Sequence, residues 1–197
     1  MALWDKGYEI DKEVLAYTVG NDPALDLTLV PYDCAASAAH AKMLEKIGVL
    51  SPNELAQLLE GLEEIARVWK KGKLVIKLED EDCHTAIENI LVAKYGDVGK
   101  KIHTARSRND QVLVALRLYE KEALTDIRSR LEAFSRALPV GENTPLPGYT
   151  HMQPAMPTTV GTWLGSFASA VKDDLKLLDA VFDVIDQNPL GSGAGFG

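Results

Sequence analysis

Hydrophobic residues recur at helical spacing along most of the chain, and they predict a succession of α-helices. The first clear pattern ends at Gly48 and contains Leu25, Leu29, Tyr32, Ala36, Ala39, Met43 and Ile47. Asp22 is predicted to cap this helix, with Pro23 in its first turn. Because Pro31 lies inside the pattern, the helix is expected to bend or divide there.

Two further helices are predicted before the middle of the chain. Ser51, Pro52 and Glu54 form a capping-box signature. The apolar stripe behind it consists of Leu55, Leu58, Leu62, Ile65 and Trp69. The next helix begins in the acidic run at residues 79–82 and ends at Gly96, and it carries His84, Ile87, Glu88, Ile90 and Leu91. Strand patterns are lacking, so the β content is expected to be close to nil.

Two much longer helical patterns follow. From Ser107 one apolar face continues for about thirty residues, or about 45 Å, through Val112, Leu116, Tyr119, Ala123, Ile127, Leu131, Phe134 and Leu138. A last helix, capped by Thr158 or Thr159, repeats Leu164, Val171, Leu178 and Ile185 every seven residues beside Val160, Phe167, Leu175 and Phe182. Helices of this kind form bundles, yet each exposes more apolar surface than one partner covers.

The predicted fold class is therefore all-α. A small helical N-terminal domain at residues 1–103 is expected to precede a partial central helix bundle at residues 104–197. Other subunits, or sequence beyond residue 197, are expected to complete that bundle.

Composition narrows the function classes. The chain has 197 residues and a formal net charge of -8, which argues against a nucleic-acid or anionic membrane surface. Cys34 and Cys83 form no paired framework, so reduced thiols and a cytoplasmic location are expected. Residues 1–6 hold no apolar core of signal-peptide length. The uncharged run at residues 143–171 is punctuated by prolines, which predicts a segment buried between helices rather than a membrane span.

The first candidate site is a basic cluster at residues 100–108, which gathers four positive charges and a histidine. Ser107 and Asp110 have the spacing of a capping pair at a helix start. Arg108 supplies a planar fork of donors, and Asn109 offers both a donor and an acceptor. In an acidic protein such a helix start suits a small anionic ligand, although a capped helix with solvated charges has the same pattern.

Two more candidates involve histidines. The segment Gly-Tyr-Thr-His-Met-Gln at residues 148–153 places His151 beside Thr150, where it could act as a general base or polarise a hydroxyl; a core histidine is the alternative. His84 and Glu88 share a helical face with spacing that could hold a metal. A histidine oriented by a carboxylate is the favoured interpretation of that pair.

Taken together, four segments resemble argininosuccinate lyases, a family of the fumarase and aspartase superfamily. They are residues 81–88, the run containing Arg-Ser-Arg-Asn-Asp-Gln at 101–111, residues 147–157, and Asn-Pro-Leu-Gly-Ser-Gly at 188–193. They occur in the family's order along nearly the whole chain. Ala105 departs from the family, in which glycine is usual at that position.

The resemblance implies cleavage of argininosuccinate to arginine and fumarate by anti elimination. It implies substrate contacts from Ser107, Arg108, Asn109, Thr150, Gln153 and Asp22. Thr150 and His151 would be the catalytic pair, with His151 as the base or as partner to the catalytic group. His84 and Glu88 would shape the site. No metal or organic cofactor is implied, and the family's sites are shared between the subunits of a homotetramer.

Members of this family are more than twice as long as the chain. Their Gly-Ser-Ser-x-Met loop, with the serine assigned to proton abstraction, would fall beyond Gly197, so an incomplete site is expected here. Two alternatives stay open at this point: a relative acting on another succinyl substrate, such as adenylosuccinate or aspartate, and a non-catalytic homologue or fragment that associates through its helices.

Overall fold

Helices account for most of the chain in the computed structural model, which describes residues 11–191. They are α1 (Lys12–Val19), α2 (Asp22–Leu25), α3 (Val30–Lys46), α4 (Pro52–Lys70), α5 (Cys83–Tyr95), α6 (Asp97–Lys100), α7 (Arg108–Ala137) and α8 (Val160–Ile185). The predicted helical class is confirmed. The N-terminal residues 1–6 and the Ser192–Gly193 end of the fourth family segment, both considered above, lie outside the described residues.

The described chain divides into two compact units. The first contains residues 11–119 together with residues 188–191, and the second is Glu120–Gln187. The domain boundary at residues 103 and 104 stays a prediction. Within residues 11–191 no helix combines the length and the apolar character needed to cross a membrane.

The core of the first unit is formed by α3, α4 and α5. Its fully buried side chains include Leu44, Leu58, Leu62, Ile65, Ile87 and Leu91. The capping box of α4 forms as predicted: Ser51 N–H donates to Glu54 Oε2 (2.8 Å) and Glu54 N–H donates to Ser51 Oγ (3.3 Å). These local contacts fix where α4 begins, and the stripe behind them enters the core.

The start of the first predicted helix needs two corrections. Asn21, not Asp22, is the residue before α2, and it makes no side-chain capping bond. Asp22 is the first helical residue instead, and its side chain is exposed. Pro31 divides the pattern as predicted, because it lies in the first turn of α3, where no intrahelical N–H is lost.

The buried face of α3 differs from the predicted stripe. Its buried residues are Val30, Asp33, Cys34, Ser37, Ala41 and Leu44. Met43 and Ile47, which belong to the predicted stripe, are 39% and 60% exposed. Ala36, Ala39 and Met43 instead line a groove of about 650 Å³. The prediction chose the wrong face because small and polar residues occupy the face that is buried.

The second unit contains α8 and a β-hairpin. Val171, Leu178 and Ile185, three members of the predicted heptad, are buried. Ion pairs join Arg128 to Asp179 and Lys121 Nζ to Asp186 Oδ1, the latter at 2.5 Å. Several large apolar side chains of the unit remain exposed: Phe134, Trp163, Phe167, Leu177 and Val184.

The hairpin corrects two predictions, since strands were not expected and the uncharged run was expected to be buried. β1 (Pro145–Thr150) pairs antiparallel with β2 (Gln153–Thr159). Most residues of both strands are exposed. A ribbon of two strands covers neither of its own faces. Prolines are tolerated in these strands because both strands of a two-stranded ribbon are edge strands, where a missing N–H donor can face away from the partner strand.

Candidate functional site

The start of α7 is built by the predicted capping pair. Asn109 N–H donates to Ser107 Oγ (3.1 Å), and Ser107 N–H donates to Asp110 Oδ2 (2.7 Å). The backbone N–H of Ser107, followed by that of Gly191, holds the pKa of Asp110 below its usual value. Asp110 is thereby kept ionised at the positive end of the helix dipole.

The segment after α8 packs on this helix start. Gly191 N–H donates to Asp110 Oδ1 at 2.7 Å. A Cβ atom at Gly191 would collide with the Cβ atom of Asn109 and with nearby backbone, so only glycine fits there. Two of the four family segments therefore meet within the first unit.

Arg108 is held by side chains from two helices and the residue that caps one of them. Its Nη1 donates to Gln111 Oε1 (2.7 Å), and its Nη2 donates to Thr85 Oγ1 (3.3 Å) and Glu88 Oε2 (3.4 Å). Nε lies 3.8 Å from Asp82 Oδ2. Nε is buried and finds no hydrogen-bond partner within residues 11–191. The guanidinium group is thus fixed in direction while part of its donor capacity is unused.

Asp33 lies behind Arg108 at the centre of a buried polar network. Both of its carboxylate oxygens accept from Gln111 Nε2, at 3.1 and 3.2 Å, and Oδ1 also accepts from Ser37 Oγ at 3.4 Å. Burial opposes ionisation of this carboxyl group, but His84, Arg106 and Gln111 outweigh burial and hold its pKa below the usual value. Asp33 is therefore a buried carboxylate whose charge is compensated by its neighbours.

His84 and Glu88 do not act on one another but on different partners. His84 is 1% exposed, and its Nδ1 lies 3.2 Å from Asp33 Oδ1. Nδ1 has no hydrogen bond of regular geometry within residues 11–191, so this contact is a close approach of the imidazole to the carboxylate. Glu88 faces Arg108. Across the described residues, no three histidine, cysteine or acidic side chains are grouped to hold a metal.

The residues leading into α7 are unusual in conformation and in charge. Ala105 has a φ of 59°, in the left-handed region that favours glycine. This explains physically why glycine is the usual residue there in the family that the sequence resembles. Arg106 follows, with Nη2 donating to Ser37 Oγ at 3.0 Å. Burial lowers the pKa of the Arg106 guanidinium group, although Asp33 partly offsets that effect.

In the second unit, Thr150 and His151 stand at the tip of the hairpin. Thr150 pairs with Gln153, so His151 and Met152 form a two-residue turn, with φ values of 49° and 61°. Positive φ at both positions is the type I′ geometry that suits a hairpin. Thr150 Oγ1 lies 2.9 Å from His151 Nδ1. In the tautomer with a proton on Nδ1, the Nε2 lone pair is left available to accept a proton.

The structure brings some predicted site residues together within one unit. Ser107, Arg108 and Asn109 lie at the start of α7, with Glu88 in contact with Arg108 and His84 connected through Asp33. Thr150, His151 and Gln153 form a separate exposed group in the second unit. Asp22 is exposed in the first unit, and no hydrogen bond or ion pair joins its side chain to another residue of the described range.

Comparison with known proteins identifies the family. A family model described as lyase matches residues 11–197. The chain belongs to this lyase family. Argininosuccinate lyase of Thermotoga neapolitana is 50% identical over 99% of the chain and 50% of its own length. The argininosuccinate lyase of Sorangium cellulosum is 46% identical over 99% of the chain and 46% of its own length. The chain thus spans about half the length of these relatives.

Solved structures agree with the lyase-family fold. An EDDS lyase in complex with formate has a TM-score of 0.70 and 24% identity, covering 96% of the chain and 39% of that structure. A fumarate lyase from Mesorhizobium sp. BNC1 has a TM-score of 0.70 and 18% identity, covering 96% and 44%. At these identities the similarity supports the fold alone.

Four residues around Arg108 were not predicted as site residues: Asp33, Asp82, Thr85 and Gln111. The sequence signal available for Asp33 is an acidic residue inside a predicted helix. Asp82 belongs to the acidic run that begins the predicted helix and to the family segment at residues 81–88, but no contact with Arg108 was predicted for it. Thr85 and Gln111 lie within the family segments at residues 81–88 and 101–111, but no local pattern indicates the contact of Thr85 with Arg108, 23 residues away, or of Gln111 with Asp33, 78 residues away.

Proposed function

We propose that the chain forms part of an enzyme that cleaves argininosuccinate to arginine and fumarate. The observation that carries the proposal is 50% identity to an argininosuccinate lyase over 99% of the chain. That similarity includes the region of the charged helix start and the Thr150–His151 pair, which offer complementary chemistry. The reaction class is the release of an amine from a succinyl group by β-elimination.

Elimination requires an anion-binding group for the substrate carboxylate. Removal of the proton from the carbon beside a carboxylate moves negative charge onto the carboxylate oxygens. Donors fixed in advance stabilise that growing charge more than flexible ones do. We assign this role to Arg108 at the start of α7, with Ser107 and Asn109 as further substrate contacts. The fixed direction of the guanidinium group supports this assignment.

Proton transfer is assigned to the hairpin tip. His151, with Nδ1 against Thr150 Oγ1, can take up a proton at Nε2 or polarise a neighbouring group. Thr150 and Gln153 would contact the substrate. Asp22 is kept as a further substrate contact because of the family resemblance, although its exposed position offers no independent support. His84 and Glu88 act around Arg108 without touching the substrate.

We further propose a cytoplasmic homotetramer whose active sites are shared between subunits. The exposed apolar side chains of the second unit, Phe167 and Leu177 among them, supply surface for subunit contacts. Buried unpaired cysteines suit a reducing compartment. Light scattering of the purified protein tests the assembly, and a monomeric mass at working concentration would exclude it.

A substrate panel tests the proposed reaction. Fumarate release, followed by its ultraviolet absorbance, is compared for argininosuccinate, adenylosuccinate and aspartate. Turnover of argininosuccinate, and of neither other compound, supports the proposal. Preference for another succinyl compound would assign a different substrate, and no turnover by the assembled protein would favour a non-catalytic homologue.

A further inference from the structure

We propose that Asp33 is a positioning residue that holds Arg108 in its binding geometry through Gln111. The connection is continuous and short. Both oxygens of Asp33 accept from Gln111 Nε2 at 3.1 and 3.2 Å. Gln111 Oε1 then accepts from Arg108 Nη1 at 2.7 Å. A carboxylate on α3 is thereby linked to the first residue of α7.

Burial shows that Asp33 acts indirectly. Its exposed fraction is 0%, and that of Gln111 is 4%. A ligand in solvent therefore reaches neither side chain without a rearrangement of the core. Any effect of Asp33 on a bound anion has to pass through a neighbour, and the hydrogen bonds point to Arg108.

The chemistry of the two side chains fixes the direction of the link. An ionised carboxylate only accepts hydrogen bonds, so only the NH₂ end of the Gln111 amide can face Asp33. The carbonyl oxygen of that amide is then turned towards Arg108, where it accepts a charge-assisted hydrogen bond. With a neutral group at position 33 the amide could turn over, and its NH₂ group would then face the guanidinium cation.

The groups around Asp33 also favour an ionised carboxylate, which keeps the Gln111 amide in this orientation. Arg106 reaches the network through Ser37, at 3.0 Å from its hydroxyl oxygen, and His84 Nδ1 lies 3.2 Å from Asp33 Oδ1. One buried carboxylate thus compensates the cations that lead into α7. The Ser37 hydroxyl bonds to Asp33 and to Arg106, away from the link through Gln111, so it provides a matched control.

The test uses three changes in the full chain. Asp33→Asn removes the acceptor-only character, and Gln111→Met removes the link while keeping the carboxylate. The double variant Asp33→Asn with Gln111→Glu exchanges the carboxylate and the amide between positions 33 and 111. Its amide at position 33 donates to the carboxylate at position 111, and that carboxylate accepts from Arg108. Ser37→Ala is the control, since it alters the same network away from the link.

Two measurements separate positioning from mere stability. The first is the rotation of the Arg108 guanidinium group, observed by NMR with isotopically labelled arginine. We expect separate Nη signals in the parent, averaged signals in Asp33→Asn and Gln111→Met, and recovered separation in the double variant. Ser37→Ala should resemble the parent. Gln111→Met provides the test even if Asp33→Asn unfolds.

The second measurement is affinity for fumarate, and this part rests on the proposed function. Loss of a charge-assisted link should weaken fumarate binding by about tenfold in Asp33→Asn. In the assembled enzyme KM should rise by a similar factor, with kcat falling by less than about threefold. Unchanged Arg108 signals and unchanged affinity in both single variants would overturn the inference. If no variant or parent binds fumarate but the Arg108 signals change as expected, the positioning role stands and the proposed function fails.

Discussion

The start of α7 and the tip of the hairpin carry the two chemical groups of the proposed site, yet they are supported very differently. Arg108 is surrounded by side chains from elements distant in sequence, and the network behind it is buried. The described contact of the His151 side chain is with its neighbour Thr150, and both residues are exposed. The arginine is therefore preorganised by the core of its own unit. The histidine is positioned chiefly by the backbone of a tight turn.

This difference separates stability from activity. Changes near Arg108 should affect both, because its partners are also core residues. Changes at the hairpin tip should affect activity alone. Variants at the two places can therefore sharpen the comparison or break it.

The largest effect is expected for His151→Asn. We expect kcat to fall about hundredfold or more, the scale of lost acid–base catalysis. The melting temperature should not change, because the side chain is exposed and asparagine tolerates the φ of 49°. Steady-state kinetics and thermal denaturation check both parts. Met152→Gly, which alters the same turn, should keep its activity; an equal loss there would assign the effect to the turn and not to the imidazole.

A slightly smaller loss is expected for Arg108→Lys. Lysine keeps the charge but not the planar fork that contacts Gln111, Thr85 and Glu88. We expect kcat/KM to fall by about a hundredfold, on the scale of one lost charge-stabilising group. Arg130→Lys, at an exposed ion pair with Asp126, is the control and should behave as the parent. Normal kcat/KM in Arg108→Lys would mean that charge alone suffices.

Two histidine truncations compare the regions by stability. His84→Ala should reduce the free energy of unfolding by about 2–3 kcal/mol, because it opens a cavity and removes a neighbour of the buried Asp33 carboxylate. His151→Ala should change it by less than about 0.5 kcal/mol, as for other exposed positions. Urea unfolding measures both. Similar values for the two variants would contradict the contrast between anchored and exposed sites.

The stability of the protein in acid is expected to depend on the ion pair between Glu54 and Lys101, which lies shortly before α7. Lys101 Nζ lies 2.5 Å from Glu54 Oε1, and this contact, followed by the Ser51 backbone N–H, lowers the Glu54 pKa from 4.5 to about 2. Since the folded pKa is the lower one, the contribution of Glu54 is present above pH 4.5 and is lost as the pH falls towards 2. Chemical unfolding at a series of pH values should therefore have a shallower acid slope in Glu54→Gln. A slope equal to that of the parent would exclude this contribution.

The smallest effect is expected for Ala105→Gly. Glycine relieves the left-handed conformation of residue 105, but it also gains freedom in the unfolded chain. The net gain in the free energy of unfolding should be about 0.5 kcal/mol, the remainder of these opposed terms. Ala123→Gly inside α7 is the matched control and should lose about 1 kcal/mol. Destabilisation by both changes would mean that Ala105 is not strained.

Interactions between residues close in sequence could be predicted, and interactions between residues distant in sequence could not. The caps at Ser51 and Ser107 involve neighbours three residues away, so both were predicted and both form. Asp33 meets Gln111 across 78 residues, and no local pattern contains that pairing. Only its charge on a helical face could have indicated a buried partner.

The hairpin was missed for a different reason. Its strands contain four prolines: Pro145, Pro147, Pro154 and Pro157. The strands also lack an alternating pattern of apolar and polar residues, so the usual signals of a β-strand are absent. The positive φ values at His151 and Met152 occur without glycine, so the turn signature is absent as well. The family resemblance identified the hairpin residues as candidate site residues, but the local sequence did not predict their conformation.

The contact between Gly191 and Asp110 has a consequence for how the chain acquires its native state. The two residues are 81 positions apart, and the whole second unit lies between them in sequence. On the ribosome the helix start at Ser107 emerges long before its glycine partner. Closing so long a loop carries an entropic cost that local helices do not have. The contact between Gly191 and the start of α7 should therefore be among the last to form, after the local Ser107–Asp110 cap, and protection from hydrogen exchange at Gly191 should appear late.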